Sequence, residues 1–262
     1  MDRPPTEQMG NRPATPAGQW CSPIVELRQY LLHPGQREVL IALFERAFIE
    51  SQEALGMQVI GTFRDLDDPN RFVWIRGFAD MERRRAALQA FYHDGPVWQA
   101  HRAAANATMV DSDNVLLLRP ARPTSCFLLD PQTRPPLGTT QERPGLVVAT
   151  ILSFEAAPAE EVLAWVEDSL PPALAQQGAS LLAWFVTEDS PNTFPALPVR
   201  EGEQVLVAFA RLQDPAADEH HGGALAPSQQ EHARLWAPVR PQLKAEPQVL
   251  RLVPTARSLL RG

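Results

Sequence analysis

The sequence predicts an α+β protein built from two ferredoxin-like β-α-β-β-α-β units in tandem, and three observations predict it. Strand-like alternation gives way to one-sided helical stripes and returns, in the same six-element order, in both halves of the chain. Local echoes fall in matching order: Trp98-x-x-x-Arg102 with Trp236-x-x-x-Arg240, Val115 to Pro120 with Val249 to Pro254, and Pro69-Asn70 with Pro191-Asn192. Between the two runs, Pro120 to Pro144 holds six prolines and little periodicity, which reads as a linker.

In the first unit, Ile24 to Leu32 alternates as a strand, with Val25, Leu27 and Leu31 on one face and Glu26, Arg28 and Tyr30 on the other. His33-Pro34-Gly35 turns the chain into a helix whose apolar stripe is Leu40, Leu43, Phe44, Ala47 and Phe48, stopped at Gly56. Met57 to Arg64 and Phe72 to Phe78 form a hairpin around the turn formers Asp65 to Asn70. Phe72, Trp74, Arg76 and Phe78 share one face of its second strand, and Val73 and Ile75 the other, expected to face the helices. Asp80 caps the next helix, which is interrupted near His93-Asp94-Gly95-Pro96, resumes through Ala105 and leads to a strand at Asn114 to Arg119. Arg83 to Arg85 read as an exposed helix face beside Asp80 and Glu82.

The second unit repeats the order. It has a strand at Leu146 to Phe154, a helix at Ala159 to Gln177 that Pro171-Pro172 must break or kink, and strands at Ser180 to Thr187 and Gln204 to Leu212. A helix at Ser228 to Leu243 and a strand at Gln248 to Val253 close it. The expected division is a disordered tail at 1–22, a first domain at 23–120, a linker at 121–144 and a diverged second domain at 145–256.

A net charge of −7 argues against nucleic acid, which draws on clustered Lys and Arg. No stretch has the apolar length of a membrane helix, and the Pro-rich start lacks the apolar core of a secretory signal, so a cytoplasmic protein without a membrane partner is expected. Cys21 and Cys126 have no metal-type spacing; a bond between them stays open. His220-His221 beside Asp218 and Glu219 has metal-ligand residue types but no partner pair, and His232 is the helical histidine of the second half, so neither a metal nor a haem is expected.

Several spaced motifs agree in order with one family. Glu26-Leu27-Arg28-x-Tyr30, Pro34-Gly35, Gly56-Met57-x-Val59-x-Gly61-x-Phe63, Trp74-x-x-x-Phe78-Ala79-Asp80 and the later Trp98 together resemble a NIPSNAP domain, over roughly Ile24 to Pro120. The second half is similar only in element order and the Trp-x-x-x-Arg echo. The resemblance implies the dimeric α/β-barrel architecture, in which two ferredoxin-like sheets pair into a barrel with helices outside, within one chain or between chains of a homo-oligomer. It also implies relatives of very different chemistry, cofactor-independent monooxygenases and isomerases among them.

On that picture Glu26, Arg28, Tyr30, Trp74, Arg76 and Phe78 look into the barrel. A cavity of mixed aromatic and cationic lining suits a small aromatic or lipid-like molecule with an anionic or enol group, bound without a cofactor. The competing expectation is a buried ion network of Glu26 with Arg28 or Arg76 that locks the structure. The alternative function is a cofactor-independent monooxygenase or isomerase, for which His93 and His101 are the candidate bases. Trp98 and Trp236 are expected to anchor helices to sheet.

Overall fold

The structure is a computed structural model that describes residues 20–141, 145–212 and 234–261. Most of the expected tail, the Asp218 to His221 group and His232 lie outside those residues. The strands are β1 (Ile24–Leu32), β2 (Gln58–Asp65), β3 (Arg71–Phe78), β4 (Met109–Asp111), β5 (Val115–Pro120), β6 (Val147–Phe154), β7 (Ala179–Thr187), β8 (Gln204–Leu212) and β9 (Gln248–Pro254). The helices are α1 (Arg37–Leu43), α2 (Ile49–Glu53), α3 (Met81–Tyr92), α4 (Pro96–Asn106), α5 (Glu160–Asp168) and α6 (Leu170–Ala175), with a π-helical turn, Phe44–Phe48, between α1 and α2.

Except for the short β4, which extends one end of β1, the strands close into a single barrel. The order runs β3-β2-β9-β6-β8-β7-β5-β1, and β1 pairs with β3 to shut the ring. Every pairing is antiparallel. The first half contributes β2-β3-β1-β5 and the second β7-β8-β6-β9, joined through β2–β9 and β5–β7. The barrel is therefore completed within one chain.

The bore is solid. Val25, Leu27, Val73, Ile75, Leu116, Val147, Phe185, Val207 and Leu250 are among the side chains from all eight strands that form one buried apolar cluster there. Phe127, from the segment between β5 and β6, packs against Phe185 and Phe209 with ring centroids 5.1 and 5.0 Å apart, and Leu260 joins the same cluster from the C-terminal segment. An eight-stranded barrel is narrow enough for side chains to fill, and here those of the strands do so together with Phe127 and Leu260.

This overturns the expected assignment of faces. Val73 and Ile75 point into the bore, whereas Glu26, Arg28, Tyr30, Trp74, Arg76 and Phe78 lie on the outer face under α1 to α4, where Tyr30, Trp74 and Phe78 pack with Leu40, Phe44, Phe48, Leu88 and Phe91. The reason is that a helix-wrapped barrel buries both faces of each strand, so alternation separates two sets without saying which is inside. The narrow bore takes aliphatics and phenylalanines; the long Arg and Trp side chains of the first half sit in the layer between sheet and helix.

Local chemistry explains most element ends. The Asp80 carboxylate accepts the Arg83 backbone N–H at 2.6 Å, and Pro96 opens α4, where its missing N–H costs nothing. Gly56, at φ 85°, lets the chain leave α2. Pro171-Pro172 split the second half's first helix at Ser169. Of the second expected helix, Ser228 to Leu243, residues up to 233 lie outside the described ones; Arg234 and Leu235 are helical, and 236–243 pass into a turn and a 3-10 segment, Arg240–Gln242, because Pro238 and Pro241 withdraw two backbone donors. Cys21 and Cys126 form a disulfide that, with the Trp20–Leu129 bridge, fastens the segment between β5 and β6 to the chain just ahead of β1. Among the described residues no helix is long and apolar enough to cross a membrane.

Candidate functional site

The outer layer of the first half holds a partly open cavity of about 330 Å³. Its floor is Tyr30 and Trp74 from the sheet. Phe44, Phe48, Tyr92 and Trp98 from the helices form its walls, and Phe194, Ala196 and Leu197 from the β7–β8 loop of the other half cover it. The rings meet edge to face, with Phe44–Trp74 at 4.8 Å, Tyr30–Trp74 at 5.9 Å and Tyr92–Trp98 at 4.8 Å, the arrangement favoured by aromatic quadrupoles. The π-helical turn carries both Phe44 and Phe48 to this wall.

Behind the floor lies a fully buried charge cluster. The register of β1 on β3 sets Glu26 opposite Arg76 and Arg28 opposite Trp74. Glu26 takes Arg28 Nη1 at 2.8 Å and Arg76 Nε at 2.7 Å on one oxygen, and Arg84 Nε from α3 at 2.6 Å on the other. Arg28 Nε also donates to the Tyr30 hydroxyl at 3.0 Å. Arg76 Nη1 reaches Gln52 Oε1 at 3.2 Å and the Tyr92 hydroxyl at 3.3 Å. Arg84 Nη1 donates to Asn192 Oδ1 at 3.0 Å and to Thr193 Oγ1 at 3.3 Å, which ties the covering loop to α3. The Arg28 and Arg76 guanidiniums also lie 5.6 and 5.0 Å from the Trp74 ring.

Burial pushes the Glu26 carboxyl up, but Arg76, Arg28 and Arg84 overcome it and hold Glu26 well below the usual carboxylate range. Burial also works against the charge on Arg28, and the neighbouring Tyr30 and Glu26 more than restore it. Arg84 is lowered, burial outweighing its pair with Glu26. Burial raises the Tyr30 phenol. With one carboxylate among three guanidiniums, the cluster carries an excess of two positive charges.

With this geometry in place, the chain can be set against known proteins. Residues 25–123 match the NIPSNAP family. No curated protein matches the chain. A candidate monooxygenase from Lactobacillus acidophilus NCFM is similar in structure, at 16% identity and TM-score 0.50 over 92% of this chain and 99% of that one. A candidate monooxygenase from Fusobacterium nucleatum is similar at 9% identity and TM-score 0.53, over 93% and 98%. A NIPSNAP family protein from Agrobacterium tumefaciens C58 aligns with 37% of this chain and 92% of its own length, at 23% identity and TM-score 0.35. At such identities the two full-length likenesses speak to fold alone.

Within the segment that matches the NIPSNAP family, the residues anticipated from sequence come together on the outer face of the sheet. Glu26, Arg28 and Arg76 form the ion cluster, Tyr30 and Trp74 line the cavity, and Phe78 packs beside Arg76 at 5.4 Å, away from the cavity wall. His93 lines the cavity beside Phe194, 5.5 Å between rings. His101 does not; it packs against Phe48 at 6.3 Å. Trp98 is a cavity wall as well as an anchor, while Trp236 packs on Trp165 at 5.4 Å in the second half.

Arg84 corrects the reading of the arginine run. Arg83 and Arg85 are exposed, but Arg84 is fully buried and paired with Glu26. Its signal was present: Arg84, Ala87, Leu88 and Phe91 are the buried stripe of α3, spaced as one helical face. Tyr92, Gln52 and the covering loop were not anticipated either. Among the described residues no group of three His, Cys, Asp or Glu side chains converges as a metal site.

Proposed function

We propose that this protein binds a small aromatic molecule in the sheet-to-helix cavity of its NIPSNAP half. The observation that carries the reading is the joining of an aromatic cavity of about 330 Å³ to a buried cluster with surplus positive charge. That volume falls within the range of small-molecule sites, and few polar groups on an otherwise apolar wall are what orient a bound ligand. Among the described residues, the corresponding layer of the second half, under Trp236, leaves a smaller void of about 30 Å³ between Leu170, Leu174 and Leu235.

We read the two halves as a tandem ferredoxin-like pair, supported by the repeated strand order and by the matching β-α-β-β beginning of each half. The second copy has then kept the barrel, with a smaller void among its described residues. Because the ring of strands closes within one chain, self-association is not needed to complete it.

Native mass spectrometry of freshly purified protein tests the reading. A copurified aromatic molecule, or one captured from a panel of aromatic compounds and lost when Leu197 is replaced by Trp, supports it. Failure to bind any member of the panel refutes it.

A second reading, a cofactor-independent monooxygenase or isomerase, rests on His93. That imidazole stands on the cavity wall, where it could take a proton from an acidic C–H or O–H of the ligand. Oxygen uptake or isomerisation that disappears in His93→Ala while ligand binding persists would favour this reading over simple binding.

A further inference from the structure

The buried cluster is short of negative charge, and what it lacks bears on what the cavity holds. Arg28, Arg76 and Arg84 are fully buried with Glu26 as their carboxylate, and the Nη2 atom of each has no hydrogen-bond partner among the described residues. Buried cations ordinarily come paired, and buried donors ordinarily find acceptors. A structure that keeps two surplus charges and several idle donors in one place is complementary to an anion.

The guanidiniums do not themselves line the cavity; their partners do. The Tyr30 hydroxyl accepts from Arg28 Nε and the Tyr92 hydroxyl from Arg76 Nη1, and both rings line the cavity. A guanidinium can only donate, so each phenol is fixed as an acceptor toward its arginine, and its own proton is left over. No described hydrogen bond uses either proton. Trp74 adds a third donor: its ring lines the same cavity, it is 1% exposed, and its Nε1–H has no partner among the described residues. Each phenol is also polarised by the cation behind it, which makes it a stronger donor than a free tyrosine.

We propose that the Tyr30 and Tyr92 hydroxyls, with Trp74 Nε1–H, form a subsite for an anionic oxygen, and that the ligand is a small planar aromatic bearing a phenolate or enolate. This rests on the reading of the cavity as a ligand site and names what that site selects. Arg28 and Arg76 act through the two phenols, supplying charge without touching the ligand. Burial keeps the Tyr30 phenol above its ordinary range, with the nearby Tyr92 phenol adding to the shift against the opposing pull of Arg28, so Tyr30 remains a donor. The aromatic walls supply stacking for the ring that carries the oxygen.

The test uses two probes of one shape, 4-nitrophenol and 4-nitrotoluene, on the full chain at constant pH. The coloured phenolate form of the first is read by absorbance, and binding of the second by calorimetry. The expected result is that a larger fraction of bound than of free 4-nitrophenol is ionised. Tyr92→Phe should weaken phenolate binding about tenfold, as loss of a hydrogen bond to a charged group does, and leave 4-nitrotoluene within twofold. Tyr30→Phe should do the same; should it fail to fold, the half-buried Tyr92 carries the test. If 4-nitrotoluene binds but the phenolate gains nothing, or both probes lose equally in Tyr92→Phe, the subsite is refuted while the cavity stands. If neither probe binds, the cavity reading and the subsite fall together.

Discussion

Replacing Glu26 by Gln preserves shape and removes the carboxylate that three buried guanidiniums share. The nitrogen-to-oxygen contacts of 2.6 to 2.8 Å put the charge centres roughly 4 Å apart, so each attraction is about 4 kcal/mol at an effective dielectric of about 20. The guanidiniums repel one another from somewhat farther away, about 2 to 3 kcal/mol for each pair. Glu26→Gln loses all three attractions and keeps every repulsion. Arg28→Met loses one attraction and two repulsions, which nearly cancel. After relaxation, uncompensated buried charge costs about 3 to 5 kcal/mol, the expected loss for Glu26→Gln, whereas Arg28→Met should cost about 1 kcal/mol.

Urea denaturation of both variants at neutral pH is the assay. The Glu26 carboxyl is depressed in the folded protein, so its contribution is present above the unfolded carboxylate range and is lost as pH falls through and below it. Wild type should therefore lose stability on acidification more steeply than Glu26→Gln. An Arg28→Met variant as damaged as Glu26→Gln, or parallel acid profiles, would refute the charge-surplus account.

Other expectations follow from packing and covalent geometry. The Cys21–Cys126 bond closes a sequence separation of 105 residues, so Cys126→Ser should lower stability by about 2 to 4 kcal/mol, measured by denaturation with and without reductant. Leu197→Trp places a bulky indole in the cavity from a surface loop. It should abolish aromatic binding while the melting temperature stays within a few degrees; an unchanged affinity would move the site elsewhere.

How far these features were legible depends on the range of the interactions behind them. The strand positions and several element ends were readable because Asp80, Gly56 and the Pro171-Pro172 pair act on their own neighbours. The set Glu26, Arg28, Tyr30, Trp74, Arg76 was readable as one face because strand alternation is local, and those residues do gather. Which side that face took was not, since a barrel under helices hides both sides from water.

Arg84 was hidden by its company: between the exposed Arg83 and Arg85 it looks like a solvated run, and only the helical spacing to Leu88 and Phe91 marks it as inward. The cover over the cavity was beyond local reading, because Phe194 and Leu197 arrive from the other half of the chain and are fastened by Arg84 to Asn192, 108 residues away. The π-helical turn at Phe44–Phe48 leaves no signature in the apolar pattern, although it sets two walls of the site.

The central claim is that ligand occupies the layer between sheet and helices, not the bore of the barrel, with its anionic oxygen on the tyrosine pair. Anomalous diffraction from crystals grown with 4-bromophenol tests it most directly. The account predicts a bromine peak among Phe48, Tyr92, Trp98 and Phe194, with the phenol oxygen at Tyr30 and Tyr92. Bromine in the bore between Val73 and Val207, or an empty cavity in a crystal that holds the probe elsewhere, would contradict it.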